Sequence, residues 1–167
     1  MIAPWNAMWT GEQHYEIRRC RFAGNQLAIW QPQEPGSGQP IFAKPHIVRQ
    51  RRSIAEWRCT VCGERTHPHD RWWFEHGQFA NGWFMTTEAP VHLHCAQRAL
   101  EVCPHLRATK IKPYKFPAGF SILASALKPE AITELFGIDP PNVPGPVVGQ
   151  MKLAWPERNI RIKGEPT

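Results

Sequence analysis

Cys59-Thr60-Val61-Cys62-Gly63 and, beyond residues 63–91, His92-Leu93-His94-Cys95 are the residues of this chain whose types and spacing could do chemistry. A Cys-x-x-Cys pair presents two thiolates from a tight turn. His92 and Cys95 are spaced i, i+3, which directs both side chains from one face of a helix's first turn. Three soft sulfurs and one imidazole complete a tetrahedral set, and zinc is the metal that such a set suits best. Four protein ligands leave no open position, so Cys59, Cys62, His92 and Cys95 are expected to hold a structural Zn2+. His94 is the rival for the fourth position. Next to Cys95, it would point about 100° around a helix from it, which favours His92 unless the helix starts late. Cys103 would lie about 12 Å along a helix from Cys95, too far for the same ion, and Cys20 falls in an expected strand; both read as packing cysteines.

Other chemistries fit less well. A zinc deaminase needs His-x-Glu before Pro-Cys-x-x-Cys, and neither stands in that order here. A dithiol oxidoreductase would surround Cys59 and Cys62 with strand–helix alternation, which is absent from this pattern. The group His67-Pro68-His69-Asp70, with Asn81, has the composition of a ββα-metal nuclease. That keeps a metal-dependent enzyme using His67, His69 or His76 as the alternative, with Glu88 as a further candidate ligand. Its difficulty is that the helix face such enzymes use is already taken by His92 and Cys95.

The elements that must position these residues follow from pattern. Residues 15–22 and 26–30 read as strands joined at Gly24-Asn25, and residues 34–40 as a loop. Residues 41–43 and 46–48 read as short extended pieces limited by Pro40 and Pro45, leading to a basic stretch anchored by Trp57. Residues 71–76 and 83–87 are aromatic or β-branched, with Asn81-Gly82 between them as a hairpin signal. Residues 95–102 have helical composition, and Pro104 stops them. Knuckle, hairpin and helix in that order are the plan of a treble-clef zinc finger. Further on, residues 121–127 read as a short helix, and residues 129–136 as a firmer one with Pro129 in its first turn and Gly137 at its end. Residues 150–155 and 159–163 read as two late strands returning to the N-terminal sheet.

The fold expected is therefore α+β: residues 1–56 as an N-terminal β-hairpin and basic segment, 57–108 as a treble-clef zinc-binding core, and 109–167 as a C-terminal helix and strand extension packed on it. The chain's 167 residues fit one domain with appended segments. Its 17 prolines and 12 glycines predict short elements with irregular connections, so a metal would supply stability that a larger core otherwise provides. No run of about 18 apolar residues spans a membrane, and the first residues lack the features of a secretory signal. With five cysteines in metal-ligand spacing, this predicts a reducing compartment, the cytoplasm.

The formal net charge of +6 favours acidic partners, nucleic acid above all, with solubility as the plainer explanation. It is concentrated at Arg49, Arg51 and Arg52 and at Arg107, Lys110, Lys112 and Lys115, on either side of the two ligand pairs. The aromatic group Trp72, Trp73, Phe74, Phe79, Trp83 and Phe84 should put about half its members in the core, leaving the rest to stack on bases or fill a partner's pocket.

Cys59-Thr60-Val61-Cys62-Gly63, then residues 87–96 ending in His92-Leu93-His94-Cys95-Ala96, and finally Val102-Cys103-Pro104-His105-Leu106 resemble a family of phage and prophage proteins of unassigned activity. Members carry C-x-x-C-G, an aromatic and glycine middle, a P-x-H-x-x-C-A segment and a C-P-x-L close. The resemblance covers residues 59–106, with a weaker echo through Phe136-Gly137 to Val148-Gly149 and Trp155. It departs at Trp72-Trp73 and the extra histidines, and does not extend to residues 1–50. It implies a phage or prophage origin and a bound metal, and supplies no activity. The expected function is a non-enzymatic, zinc-stabilised binding protein engaging nucleic acid or a host nucleoprotein, as an accessory or counter-defence factor. A structural phage protein, its charge serving solubility or assembly, is the other alternative.

Overall fold

A computed structural model describes residues 3–75, 77–140 and 145–157. It is a mixed α+β fold built around one long strand. The first strands are β1 (Ala7–Trp9), β2 (Glu16–Cys20), β3 (Gln26–Trp30) and β4 (Pro40–Pro45), followed by helix α1 (Ile47–Glu56). Next come β5 (Trp72–Trp73), β6 (Gln78–Ala80), β7 (Trp83–Thr86), α2 (Leu93–Val102) and α3 (Pro104–Thr109). The chain continues through β8 (Tyr114–Lys115), β9 (Ser121–Leu127), α4 (Pro129–Phe136) and β10 (Val147–Pro156).

β10 organises the main sheet. Along one side it pairs antiparallel with β9; along the other it meets β3 in parallel near Val148 and β7 antiparallel from Leu153 to Pro156. β2 extends the sheet beyond β3, and β6 extends it beyond β7. One sheet thus joins strands from the N-terminal, central and C-terminal parts of the chain. Two small sheets, β1–β4 and β5–β8, stand beside it.

The β2–β3 pairing and its turn at Gly24 and Asn25, both left-handed, agree with the sequence pattern. Asn81 (φ 52°) and Gly82 (φ 78°) also make a two-residue turn, but it joins β6 to β7. Trp72 and Trp73 are not in that hairpin; they pair with Lys115 and Tyr114 of β8. Residues 121–127 form strand β9 where a helix was expected, because pairing along β10 overrides the local Ala and Leu preference. α4 spans the expected residues, with Gly137 in the left-handed conformation at its end. Of the two late strands expected, residues 150–155 lie within β10, and residues 159–163 fall outside the described residues.

α1 is the largest departure from expectation. His46 caps it: its Nδ1 accepts the Arg49 amide at 3.2 Å while its Nε2 lies 2.7 Å from the Pro32 carbonyl. The helix then lies on β10 and β3 and buries Ile47, Val48, Arg49, Gln50, Arg51, Ser53 and Ile54. Ile54 enters a core with Trp73, Phe84, Ala89, Phe116, Leu153 and Trp155, while Ile47 and Val48 join Ile29, Ile132 and Val147. Among the described residues, no helix is long and apolar enough to cross a membrane.

Candidate metal centre

α1 runs straight into the first ligand pair. Trp57, left-handed at φ 56°, ends the helix, and Thr66 returns to the Trp57 carbonyl by its amide at 2.7 Å and its hydroxyl at 3.0 Å. Between them the chain folds into a knuckle: the Cys59 amide donates to the Glu64 carbonyl, and the Gly63 amide to the Cys59 carbonyl, both at 2.8 Å. Gly63 sits at φ 81°, and a Cβ there would stand 2.5 Å from the Trp5 ring. The N-terminal segment straps the knuckle, with the Trp5 amide donating to Val61 and the Asn6 amide to Thr60.

The second pair is delivered by the start of α2. Val91 and Trp72 exchange two backbone hydrogen bonds of 2.8 Å, which fix the approach to the helix. His92 is the N-cap residue, but its own side chain does not cap. Asp70 caps the helix in its place, its Oδ1 accepting the Leu93 amide at 2.9 Å. The imidazole of His92 is therefore free to face the cysteines.

Four side chains converge. One ligand atom each from Cys59, Cys62, His92 and Cys95 lie within 4.8 Å of one another. His92 Nδ1 is 3.5 Å from Cys62 Sγ and 3.9 Å from Cys95 Sγ. Ordinary zinc–sulfur and zinc–nitrogen bonds at the tetrahedral angle imply a sulfur–nitrogen edge of about 3.6 Å, so the spacing suits an ion of that size. His92 Nε2 lies 3.2 Å from the Arg65 carbonyl, a contact that makes Nε2 the protonated nitrogen and leaves Nδ1 as the donor to a metal.

The electrostatics ask for a cation. Burial pushes the Cys59 thiol up, and it pushes Cys95 far above the usual thiol range, with Cys59 and Cys62 adding to the effect on Cys95. Three thiolates cannot share this space alone, whereas a divalent ion would reverse the balance and release their protons. Cys95, in the first turn of α2, also meets the positive end of the helix. Cys59 and Cys95 are buried and Cys62 is exposed. The set is thus closed on its protein side and open at one edge.

His92 supplies the fourth atom of this group; the His94 ring stacks on it with 5.3 Å between centroids and brings its Nε2 to 3.3 Å from Cys95 Sγ. Cys20 and Cys103 stand outside it. Among the described residues no second group of three or more such ligands occurs. His67 and His69 are exposed neighbours on a 3-10 turn, where His67 Nδ1 accepts the His69 amide. His76 lies outside the described residues.

The two basic clusters have different fates. Arg49 and Arg51 are 3% and 0% exposed, which withdraws them from any binding surface. Arg49 grips the buried Glu12 carboxylate with two hydrogen bonds of 2.8 and 2.7 Å and reaches the Ala7 carbonyl. Arg51 donates to the carbonyls of Ile29, Val148 and Gly149, tying β3 to β10. Arg52 is half-buried and pairs with Glu56 at 3.0 Å. Arg107, Lys110, Lys112 and Lys115 are exposed, and Lys115 lies over the Trp72 ring at 4.7 Å.

The aromatic group divides three ways, not by alternation along one hairpin. Trp73 and Phe84 are core, Trp72 and Phe74 pack beside the metal ligands, and Phe79 and Trp83 are exposed. Asp70, Trp5 and the Arg65 carbonyl are the contributors that sequence reading missed. The only signal for them was Asp70's place beside His67 and His69, in a group whose composition pointed to a ββα-metal nuclease rather than to a helix cap. Compared with models of protein families, with curated proteins and with solved structures, the chain matches none.

Proposed function

We propose that Cys59, Cys62, His92 and Cys95 bind one structural Zn2+ in a treble-clef arrangement, and that the chain is a non-enzymatic binding protein for nucleic acid. The convergence of three sulfurs and one imidazole nitrogen within 4.8 Å carries the metal half of this reading. The order of knuckle, β6–β7 hairpin and α2 is what supports the treble clef. Four protein donors leave zinc no position for substrate, so its role is to hold the knuckle to the helix.

The binding half rests on the exposed Arg107, Lys110, Lys112 and Lys115, which follow α2 in the chain, with Lys115 over the half-buried Trp72. These four cations suit phosphates, free or within a host nucleoprotein, the latter in keeping with the phage-like segment at residues 59–106.

Two measurements test the two halves separately. Purified protein is expected to carry about one zinc per chain by elemental analysis. A cobalt-substituted form should show thiolate charge-transfer absorption, with ligand-field bands and metal affinity that are unchanged in His94→Ala and altered in His92→Ala. Full occupancy in a Cys59→Ser/Cys62→Ser variant overturns the metal assignment. For nucleic acid, log affinity against log salt should fall with a slope of about −3 to −4 if all four cations meet phosphates. Reversing the four charges to Glu should flatten it. A flat slope in the unaltered protein removes the nucleic-acid reading and leaves the charge to solubility.

A further inference from the structure

Among the described residues the main sheet ends in three edges, and only one of them is unprotected. The β2 edge carries Glu16, Arg18 and Arg19, charges that oppose pairing with another strand. The β6 edge has only three residues. β9 is seven residues long, Ser-Ile-Leu-Ala-Ser-Ala-Leu, with no charge, no proline and no glycine. Among the described residues it pairs with β10 alone, so its outer row of amides and carbonyls faces away from the sheet. Ile122 and Leu123, which point to opposite faces, are each 44% exposed.

We propose that β9 is a self-association edge, on which a second copy of this chain adds its own β9 antiparallel across a two-fold axis. The reason is steric. A two-fold axis perpendicular to the sheet lies between the paired strands, midway between one residue and its own copy, because directly opposed residues share a face. With Ala124 at the axis, Leu123 faces Ser125, Ile122 faces Ala126, and Leu127 faces Ser121 of the other copy. Each large side chain then meets a small one, on both faces of the sheet. Centring on Leu123 opposes leucine to leucine, and centring on Ser125 opposes Leu123 to Leu127. The seven residues are thus complementary to themselves in size in one register. Their lack of charge lets two copies of a chain with net charge +6 meet there without like charges in the pairing. A different protein donating a strand has no such reason to match this pattern.

Sedimentation equilibrium of the full, metal-loaded chain should show a reversible monomer–dimer equilibrium. Leu123→Lys, which introduces a charge into the pairing, should raise its dissociation constant at least about tenfold while circular dichroism and metal content stay unchanged. Cysteine scanning then reads the register without disturbing the fold. Under diamide oxidation, Ala124→Cys should form a 124–124 disulfide between copies, identified by peptide mass spectrometry. Ile122→Cys and Ala126→Cys should form none alone and a 122–126 disulfide when mixed. A monomer at every concentration overturns the proposal. So does a dimer indifferent to Leu123→Lys, or one whose Ala124→Cys form fails to cross-link at residue 124.

Discussion

Asp70 stands 23 residues before Leu93, yet its carboxylate does for α2 what an N-cap side chain ordinarily does from the adjacent position. The arrangement has a reason. The residue in the N-cap position is His92, and a histidine that ligates through Nδ1, with Nε2 committed to the Arg65 carbonyl, has nothing left to give the helix. The cap is therefore supplied by the histidine-rich turn at residues 67–70, and that turn becomes part of the metal centre's support. Asp70→Ala should lower stability by about 1 kcal/mol, the usual cost of a lost cap, and weaken metal binding on the order of tenfold by loosening the start of α2. Asp70→Asn keeps an acceptor oxygen and should restore most of both. Urea denaturation of the metal-loaded protein, with competitive chelator titration, measures the pair of effects. If Asp70 were instead a ligand of a catalytic ion, Asn and Ala would fail alike and neither would alter the grip on zinc.

At the scale of elements, α1 shows how a helix can hide. Its sequence holds three arginines and a glutamine, which read as an exposed basic stretch, but the partners of Arg49, Gln50 and Arg51 lie far away in the chain, and only Arg52 has a local one in Glu56. Arg49 meets Glu12, Arg51 meets Val148 and Gly149, and Gln50 donates to the carbonyls of Thr87 and Met151. Nothing local announces that these polar groups will be satisfied inside, so the hydrophobic pattern misreads the helix as surface. α4 was legible because its signals are local: Pro129 at the start, Gly137 at the end, and Ile132 facing inward. The ligand set was legible for the same reason, since Cys-x-x-Cys and His-x-x-Cys are local spacings. Asp70, Trp5 and the β9–β10 pairing depend on long-range geometry and were not.

The buried network around α1 also sets a pH response. At neutral pH His46 is uncharged: burial, with the nearby Arg49 and Arg51 charges, holds its pKa at about 4 despite the Pro32 hydrogen bond and the Glu12 charge that favour protonation. In the unfolded chain the same group titrates near 6.5. Between those values the unfolded state binds more protons, so stability must fall as pH drops from about 6.5 towards 4, by at most about 3 kcal/mol. Glu12 acts in the same direction at lower pH. Burial raises its pKa, but the Arg49 hydrogen bonds, the Trp9 amide and the His46 and Arg49 charges hold it below the usual carboxylate value, and its contribution goes as the carboxyl protonates. A His46→Gln variant should lose the upper part of this slope. Comparing it with the unaltered protein at each pH cancels the acid release of metal common to both. Equal slopes from pH 6.5 to 4.5 would show that His46 does not carry the effect.

For the whole molecule, the question is whether the metal centre is a module or part of one cooperative fold. The connectivity favours the second. α1 ends in the knuckle, so the polypeptide that carries Cys59 is continuous with the helix packed on β10. β7 of the hairpin pairs with β10, and Trp155 of β10 meets Trp73 edge to face, one residue from the Trp72 that brackets the approach to α2. The N-terminal strap holds the knuckle from the other side through Trp5 and Asn6. A metal that closes this loop stabilises the native state in proportion to its binding, about 4 kcal/mol at a thousandfold excess over the dissociation constant. That stabilisation should reach the sheet as well as the knuckle. Unfolding of a cobalt-loaded form, followed at once by the thiolate absorption band and by the fluorescence of the buried tryptophans, should give coincident midpoints. A chelator should move both together to a lower midpoint. If the absorption vanished well before the fluorescence changed, the metal centre would be an independent unit, and β10 would not be transmitting its stability to the rest of the chain.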